Sequence, residues 1–403
     1  MKNERILISG ASIAGQTLAY WLARHGFQPT VIERAPRPRS GGQGVDVRDQ
    51  AIQVAERMGV MPQIRAAAAD VAEMRFVDAR DRGIARIDMA RIGDKHGSGE
   101  VEIMRGDLVG ILHDANTGTV EHFFGESIRS LEQDTDGVTV TFENREPRRF
   151  DLVIGADGMH SNVRSLAFGP ESRFVRHMGH YFAFGNTGSE YGQDRTMTVF
   201  NTAGTMAGVY RSGNHAQAKA YFMFRSPQRD YDHRDPAAER RLLTDAFADR
   251  TDWRIPELLA GALADPDLYI DALSQVRMDS WATGRIALVG DAAYCASPAS
   301  GAGAELSLIG AYRLAGELTA AGGDHRIAFR RYEQTHRELV ERKQKIGPNL
   351  RLMAPKTRIG IAVRNTIARS PLLESLAGVE RIMAPSTTAT LPEFRPAPST
   401  TAS

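Results

Sequence analysis

"RILISGASIAGQTLAYWLARHGFQPTVIER", residues 5–34, decides the fold. A short apolar run, Ile6–Ile8, meets a glycine turn, and apolar Ile13, Leu18, Trp21 and Leu22 then recur at helical spacing until Gly26 stops the helix. A second strand, Thr30–Ile32, ends in an acid, Glu33. This is the start of a βαβ unit. "GASIAG" (10–15) is the kind of turn that lets backbone N–H groups at a helix N-terminus approach a pyrophosphate, and Glu33 comes about 20 residues later, where an acid bonds a ribose hydroxyl. Ser12 replaces the middle glycine and narrows the approach slightly. A glycine triplet alone could be purely structural. Strand, turn, helix, strand and acid in this order favour a dinucleotide site.

Working outward, 51–69 reads as helix broken near Gly59 and Pro62, 71–94 as strands, 93–99 as a loop and 104–115 as helix. Residues 137–144 alternate as an exposed strand, and "FDLVIGADG" (150–158) is a buried strand running into a turn. Strands dominate 175–225, helix returns over 236–264, and "GRIALVGD" is again a buried strand before the helix 303–318 and a long charged helix. The expected class is α/β: a Rossmann-like nucleotide-binding domain built from discontinuous segments (1–70, 98–173 and 276–330), with an inserted strand-rich substrate domain (71–97 and 174–275). C-terminal helices (331–383) and a flexible Pro/Ser/Thr-rich tail (384–403) complete the chain.

Composition narrows the function. The 403 residues suffice for a large core. Fifty basic residues against 49 acidic ones leave no excess for a nucleic-acid footprint. The single cysteine, Cys295, rules out an intramolecular disulfide and argues against a cysteine metal site. No signal-like or membrane-length apolar run occurs, so a cytoplasmic protein is expected; its oligomeric state is not readable.

Two further stretches repeat the first one's logic. "GADGMHSNVR" (155–164) ends a buried strand at Asp157 and turns at Gly158, with Ser161 and Arg164 placed to cap the next helix. A plain capped turn explains it equally well. "GDAAYCASPASGAGAE" (290–305) is small and neutral between Asp291 and Glu305, as a surface must be if a flat ligand lies against it. Arg105 opens a helix and, alone, reads as a solvated arginine. His160 and His180 lack a partner pattern and read as surface or capping residues rather than bases. "EQTHRELVERK" is no zincin signature, and no metal is expected.

Together and in order, "GASIAG…ER", "GADG…R" and "GDAAYCASPASGAG" make the chain resemble the single-component FAD-dependent aromatic monooxygenases with the para-hydroxybenzoate hydroxylase fold, nearest the tetracycline-inactivating and antibiotic-tailoring branch. The resemblance implies non-covalent FAD, with NADPH or NADH and O2 as co-substrates. It implies hydroxylation of an aromatic or polyketide-like small molecule through a flavin C4a-hydroperoxide. Carried over by position, Gly10, Ser12, Ile13, Ala14, Gly15, Glu33 and Arg34 would hold the ADP half, and Asp46 and Arg105 would lie near the flavin and its ribityl chain. Asp157 and Gly158 would serve FAD and the nicotinamide, and Asp291 would take the ribityl hydroxyls. Pro298, Gly301, Ala302 and Gly303 would face the flavin ring, with Pro298 walling the oxygen site from water. The helix starting near Gly303 would aim its positive end at the flavin. Arg39, on a loop with Arg34 and Arg37, matches an NADPH contact. Tyr294 stands where many relatives have histidine, and Glu305 where an uncharged amide is common; both departures bear on the expected flavin pocket.

Among the inserted strands' aromatics, Phe182, Phe184, Phe200, Tyr210, Phe222 and Phe224, some could line a pocket while most pack as sheet core. A related reductase or halogenase is the near rival, although no Trp-x-Trp-x-Ile run occurs. A non-catalytic flavin-binding protein is the distant one.

Overall fold

Ile6, Leu7 and Ile8 have no exposed surface, because their strand lies at the centre of a sheet covered on both faces. The computed structural model describes residues 2–38, 42–88, 99–233, 235–346, 353–369 and 390–394. In it Arg5–Ser9 pairs in parallel with Gln28–Glu33 on one side and Leu152–Gly155 on the other. Glu121–Phe124 and Ile286–Leu288 extend this central sheet in parallel, and Ala282–Thr283 closes one edge antiparallel. Register aligns the carboxyl ends: Ser9 lies opposite Gly155 and Ile32, and Gly155 opposite Leu288. The loops after these strands are the quoted motifs, so distant parts of the chain meet along one edge, where open α/β sheets bind ligands.

A second, seven-stranded sheet runs in the order 269–276, 175–187, 218–225, 205–211, 196–202, 73–77, 83–88. Its neighbours are antiparallel except for Thr196–Thr202 beside Glu73–Val77. Period-two alternation gives it two apolar faces. Ala183, Phe222 and Phe224 pack with Leu243, Phe247, Ile255 and Leu258 of the helices Pro236–Phe247 and Ile255–Ala264. Phe182, Tyr221, Met223 and Leu273 face the other way, in a cluster that takes in Ala354. Gly185 must be glycine, since an added Cβ would lie 2.9 Å from Ala262 of the covering helix.

A two-stranded ladder, Gly44–Val47 against Val101–Met104, sets Asp46 opposite Glu102. Val138, Val140 and Phe142 are buried in the core shared with the central sheet, so the strand expected to be exposed is covered on one face. Of the tail expected over 384–403, residues 390–394 are described and pack on the body, and the rest lies outside the described residues. Leu391 is buried there, Phe394 packs 5.4 Å from the Tyr312 ring, and Arg57 and the Tyr312 hydroxyl donate to the Pro392 carbonyl. Residues 93–98 of the expected loop and 370–383 of the expected C-terminal helices lie outside the described residues. Among the described residues no helix is long and apolar enough to cross a membrane.

Candidate functional site

The first turn is as tight as its glycines require. Gly10 has φ +107°, and an added Cβ would lie 2.4 Å from the Ala156 carbonyl oxygen; at Gly15 it would lie 1.8 Å from the Gly10 oxygen. Ile13 and Ala14 are buried beneath the turn. Ser12 does not cap the helix Ile13–Arg24; its Oγ accepts from Arg105 Nη2 at 2.8 Å instead. Among the described residues the N-cap side chain therefore leaves this helix N-terminus without a cap hydrogen bond, and its first turn holds no acid. Glu33 sits beside it, accepting the Ala11 and Ala35 N–H groups, each at 2.9 Å. Arg34 is exposed, Arg37 pairs with Asp267 at 3.4 Å, and Arg39 lies outside the described residues.

At the second motif Asp157 is tied into its own turn. It accepts the Val163 N–H at 3.0 Å and the hydroxyls of Ser161 and Ser9, and burial pushes its carboxyl up. Gly158 has φ +82° and no atom within 4 Å of an added Cβ. Arg164, with no exposed surface, does more than cap: its Nη1 donates to the Ala292 carbonyl at 2.9 Å and its Nη2 to the Met159 carbonyl, joining the second motif to the third.

The third motif turns at Gly290 (φ +68°) and places Asp291 at the head of the short helix Asp291–Tyr294. Burial raises the Asp291 carboxyl against a hydrogen bond from Cys295 and the charge of Arg105. Gly301 (φ +62°) approaches Asp46, and Pro298 and Gly301 are exposed. Ala302 leaves the helix Gly303–Ala320 without a side-chain cap. Both departures noted in the sequence turn away from this surface. Tyr294 is buried with its hydroxyl 3.0 Å from that of Tyr332, beneath Gly310. Glu305, 1% exposed, is held by Arg48 Nε at 3.1 Å and Lys343 Nζ at 2.7 Å.

Between this loop and the large sheet lies a cavity of about 390 Å³. Asp291, Pro298, Gly301 and Gly303 line one side of it. Of the six aromatics considered from sequence, Phe182, Phe184 and Tyr210 reach the cavity, and Phe200, Phe222 and Phe224 lie in the cluster on the sheet's helix-covered face. Tyr221, Met197, Met223 and Lys219 also line it and were not singled out; the same alternation carries them. Glu102 was missed too, and its signal is an acid inside an apolar strand. Burial and the Asp46 carboxylate push it up to about 7, against a hydrogen bond from Tyr210.

His160 and His180 correct the reading of surface or capping residues. His180 is 3% exposed, with Nδ1 at 3.0 Å from the Met178 carbonyl. His160 bridges the two sheets' elements: its Nδ1 is 3.0 Å from Glu171, its Nε2 is 3.1 Å from Asp271, and its ring stacks on His233 at 3.6 Å. His160, Glu171 and His233 hold ligand-type atoms within 4.8 Å of one another, but both His160 nitrogens already face carboxylates, as in an ion-pair cluster.

A family model described as FAD binding domain matches residues 4–342. A flavin-dependent monooxygenase of Legionella longbeachae serogroup 1 (strain NSW150) is 39% identical over 346 residues, covering 86% of this chain and 88% of that protein. The uncharacterized protein Rv1260 of Mycobacterium tuberculosis (strain ATCC 25618 / H37Rv) is 42% identical over 342 residues, covering 85% and 92%. The crystal structure of tetracycline destructase Tet(51) matches with TM-score 0.83 and 33% identity, over 98% of this chain and 100% of that one.

Proposed function

The chain belongs to the FAD binding domain family and is an FAD-dependent monooxygenase, and from that premise we propose that it uses NADPH or NADH and O2 to hydroxylate an aromatic or polyketide-like small molecule held in the cavity of about 390 Å³. The observation that carries this reading is the cavity's two walls. One is the small, neutral loop around Pro298–Gly303; the other is a face of Phe, Tyr and Met side chains. An apolar aromatic guest fits between them, and the loop gives a planar cofactor the flat backbone contact it needs.

The residues present fit FAD. Two helix N-termini lack side-chain caps, and added Cβ atoms at Gly158 and Gly303 would meet no atom within 4 Å. Those amides and open backbone faces suit the pyrophosphate and the ring. Glu33 would take the adenosine ribose, Asp291 the ribityl hydroxyls, and Arg105, fixed on Ser12, would lie between them. Bound FAD supplies hydride acceptance and oxygen activation. The protein supplies position, exclusion of water and charge: the Gly303–Ala320 helix start favours negative charge on the ring beside it. Arg39 and its loop would meet the nicotinamide cofactor's phosphates transiently, since the one full dinucleotide fingerprint is taken by FAD. Residues 71–97 and 174–275 would form the substrate domain, and 1–70, 98–173 and 276–330 the FAD-binding domain.

The test is oxidation of NADPH and NADH with O2 uptake and product mass over a panel of phenols and tetracyclines. A substrate-dependent gain of one oxygen atom is expected. Reduction or halogenation of the substrate, or O2 uptake that no substrate alters, refutes the reading. FAD that stays with the protein pellet after acid precipitation refutes non-covalent binding.

A further inference from the structure

Glu102 stands directly opposite Asp46 in the small ladder. Like charges facing each other weaken a ladder, so this pair persists against a cost. Its carboxylate lies over Gly44, where an added Cβ would come 2.2 Å from Glu102 Oε1. It reaches the cavity beside Tyr210 of the large sheet, whose cross-strand partner Lys219 also lines the cavity. The Tyr210 hydroxyl points its proton at Glu102 Oε1 from 3.5 Å, and Lys219 Nζ donates to Asn186 Oδ1 at 3.0 Å. The neighbouring wall is Phe182, Phe184, Met197, Tyr221 and Met223. The cavity thus joins an apolar body to a corner holding a carboxylate and a phenol.

We propose that Glu102 is the general base of the hydroxylation, taking the proton of a phenol, or of the enol of a 1,3-dicarbonyl, whose ring or chain carries the carbon to be oxygenated. The inference rests on the monooxygenase reading of the cavity. In this step the substrate O–H bond breaks, its electron pair stays on the substrate oxygen, and the proton forms an O–H bond on Glu102; nothing is oxidised or reduced. The oxyanion pushes electron density onto the carbon ortho, para or alpha to it, which makes that carbon the better nucleophile toward an electrophilic oxygen. Tyr210 keeps its proton because burial and the Glu102 carboxylate raise its phenol. A base near 7 is matched to work at neutral pH. Of the ionisable groups, Asp46 raises it and Tyr210 lowers it, while Lys219, Asp291 and Cys295 line the same cavity.

The test uses FAD-loaded protein and 2-naphthol, with binding read from the absorbance change of the bound flavin. Flavin content comes first: a wild type that carries no FAD refutes the monooxygenase reading itself. With FAD bound, a hydrogen bond to an ionised carboxylate is about twice as strong as one to a neutral partner, so 2-naphthol binds about tenfold more tightly at alkaline than at acid pH. The transition falls near pH 7, where Glu102 ionises. In Glu102→Gln the dissociation constant is independent of pH. Tyr210→Phe removes a donor to the carboxylate, so the transition moves to higher pH; this variant carries the test should Glu102→Gln fail to load FAD. Naphthalene, which has no hydroxyl, shows no transition in wild type. A flat wild-type profile, a wild-type profile retained by Glu102→Gln, an unmoved transition in Tyr210→Phe, or no binding of 2-naphthol to the FAD-loaded wild type overturns the proposal.

Discussion

His160→Gln keeps a hydrogen-bonding side chain and deletes a charge, and the structure fixes how the loss depends on pH. Burial alone would lower the imidazole, but hydrogen bonds to Asp271 and Glu171, with their charges, push it up from 6.5 to about 9. That difference corresponds to about 3 kcal/mol at full strength; with a quarter of the side chain exposed, about 2 kcal/mol is expected. A folded value above the unfolded one gives stabilisation that is complete below about 6.5 and is lost as pH rises through about 9. Glu171 adds the opposite edge. Its carboxyl is depressed, since the hydrogen bond and charge of His160 outweigh burial, so its share is present above its ordinary 4.5 and lost on acidification. The gap between wild type and variant is therefore widest between about pH 4.5 and 6.5 and closes towards pH 9. For a chain of this length 2 kcal/mol corresponds to about 2–3 °C in Tm. Scans of the FAD-loaded proteins at pH 6, 7.5 and 9.5 measure it. A gap that is constant over this range, or that widens as pH rises, refutes the charged bridge and returns His160 to a neutral packing role.

On the role proposed for Asp291, Asp291→Ala removes a charged acceptor from the ribityl hydroxyls and is expected to weaken FAD by roughly tenfold or more, about 1.5–3 kcal/mol, measured by titrating apoprotein with FAD. Gly15→Ala puts a Cβ 1.8 Å from a backbone oxygen that cannot turn aside; it should yield FAD-free protein destabilised by about 2 kcal/mol or more, read from the flavin spectrum and Tm. Glu305→Gln strands Arg48 and Lys343, but Arg48 keeps Asp46 at 3.8 Å and Lys343 keeps Asp49 at 3.6 Å, so a loss of about 2 kcal/mol in urea unfolding is expected rather than the 3–5 of an isolated buried pair. An unchanged flavin spectrum in that variant checks that the carboxylate faces away from the ring.

The parts of the fold and of the proposed site that were legible share one physical property: their signal is local. A strand buried on both faces must be apolar, a turn against a neighbouring backbone must be glycine, and an acid at a strand end has few other reasons to be there, so Ile6–Gly15, Glu33 and Asp291 could be read from short windows. Which face an alternating strand turns to the site is set by partners far away, and so Phe182 and Phe222, alike in sequence, end on opposite faces. His160 was unreadable for the same reason, because Asp271 lies 111 residues on. Glu102 is raised first by burial and then by the Asp46 that the ladder sets opposite it, and neither shows in a short window. Tyr294 and Glu305 carry the reverse lesson. Each occupies a motif position, yet a helical turn sends its side chain into the interior, where Tyr294 meets Tyr332 and Glu305 meets Arg48 and Lys343. The compensation for each lies where it points. Gly310 is the clearest case: any Cβ there would come 2.0 Å from the Tyr294 hydroxyl oxygen, so the larger residue on the flavin loop requires a glycine in the helix behind it.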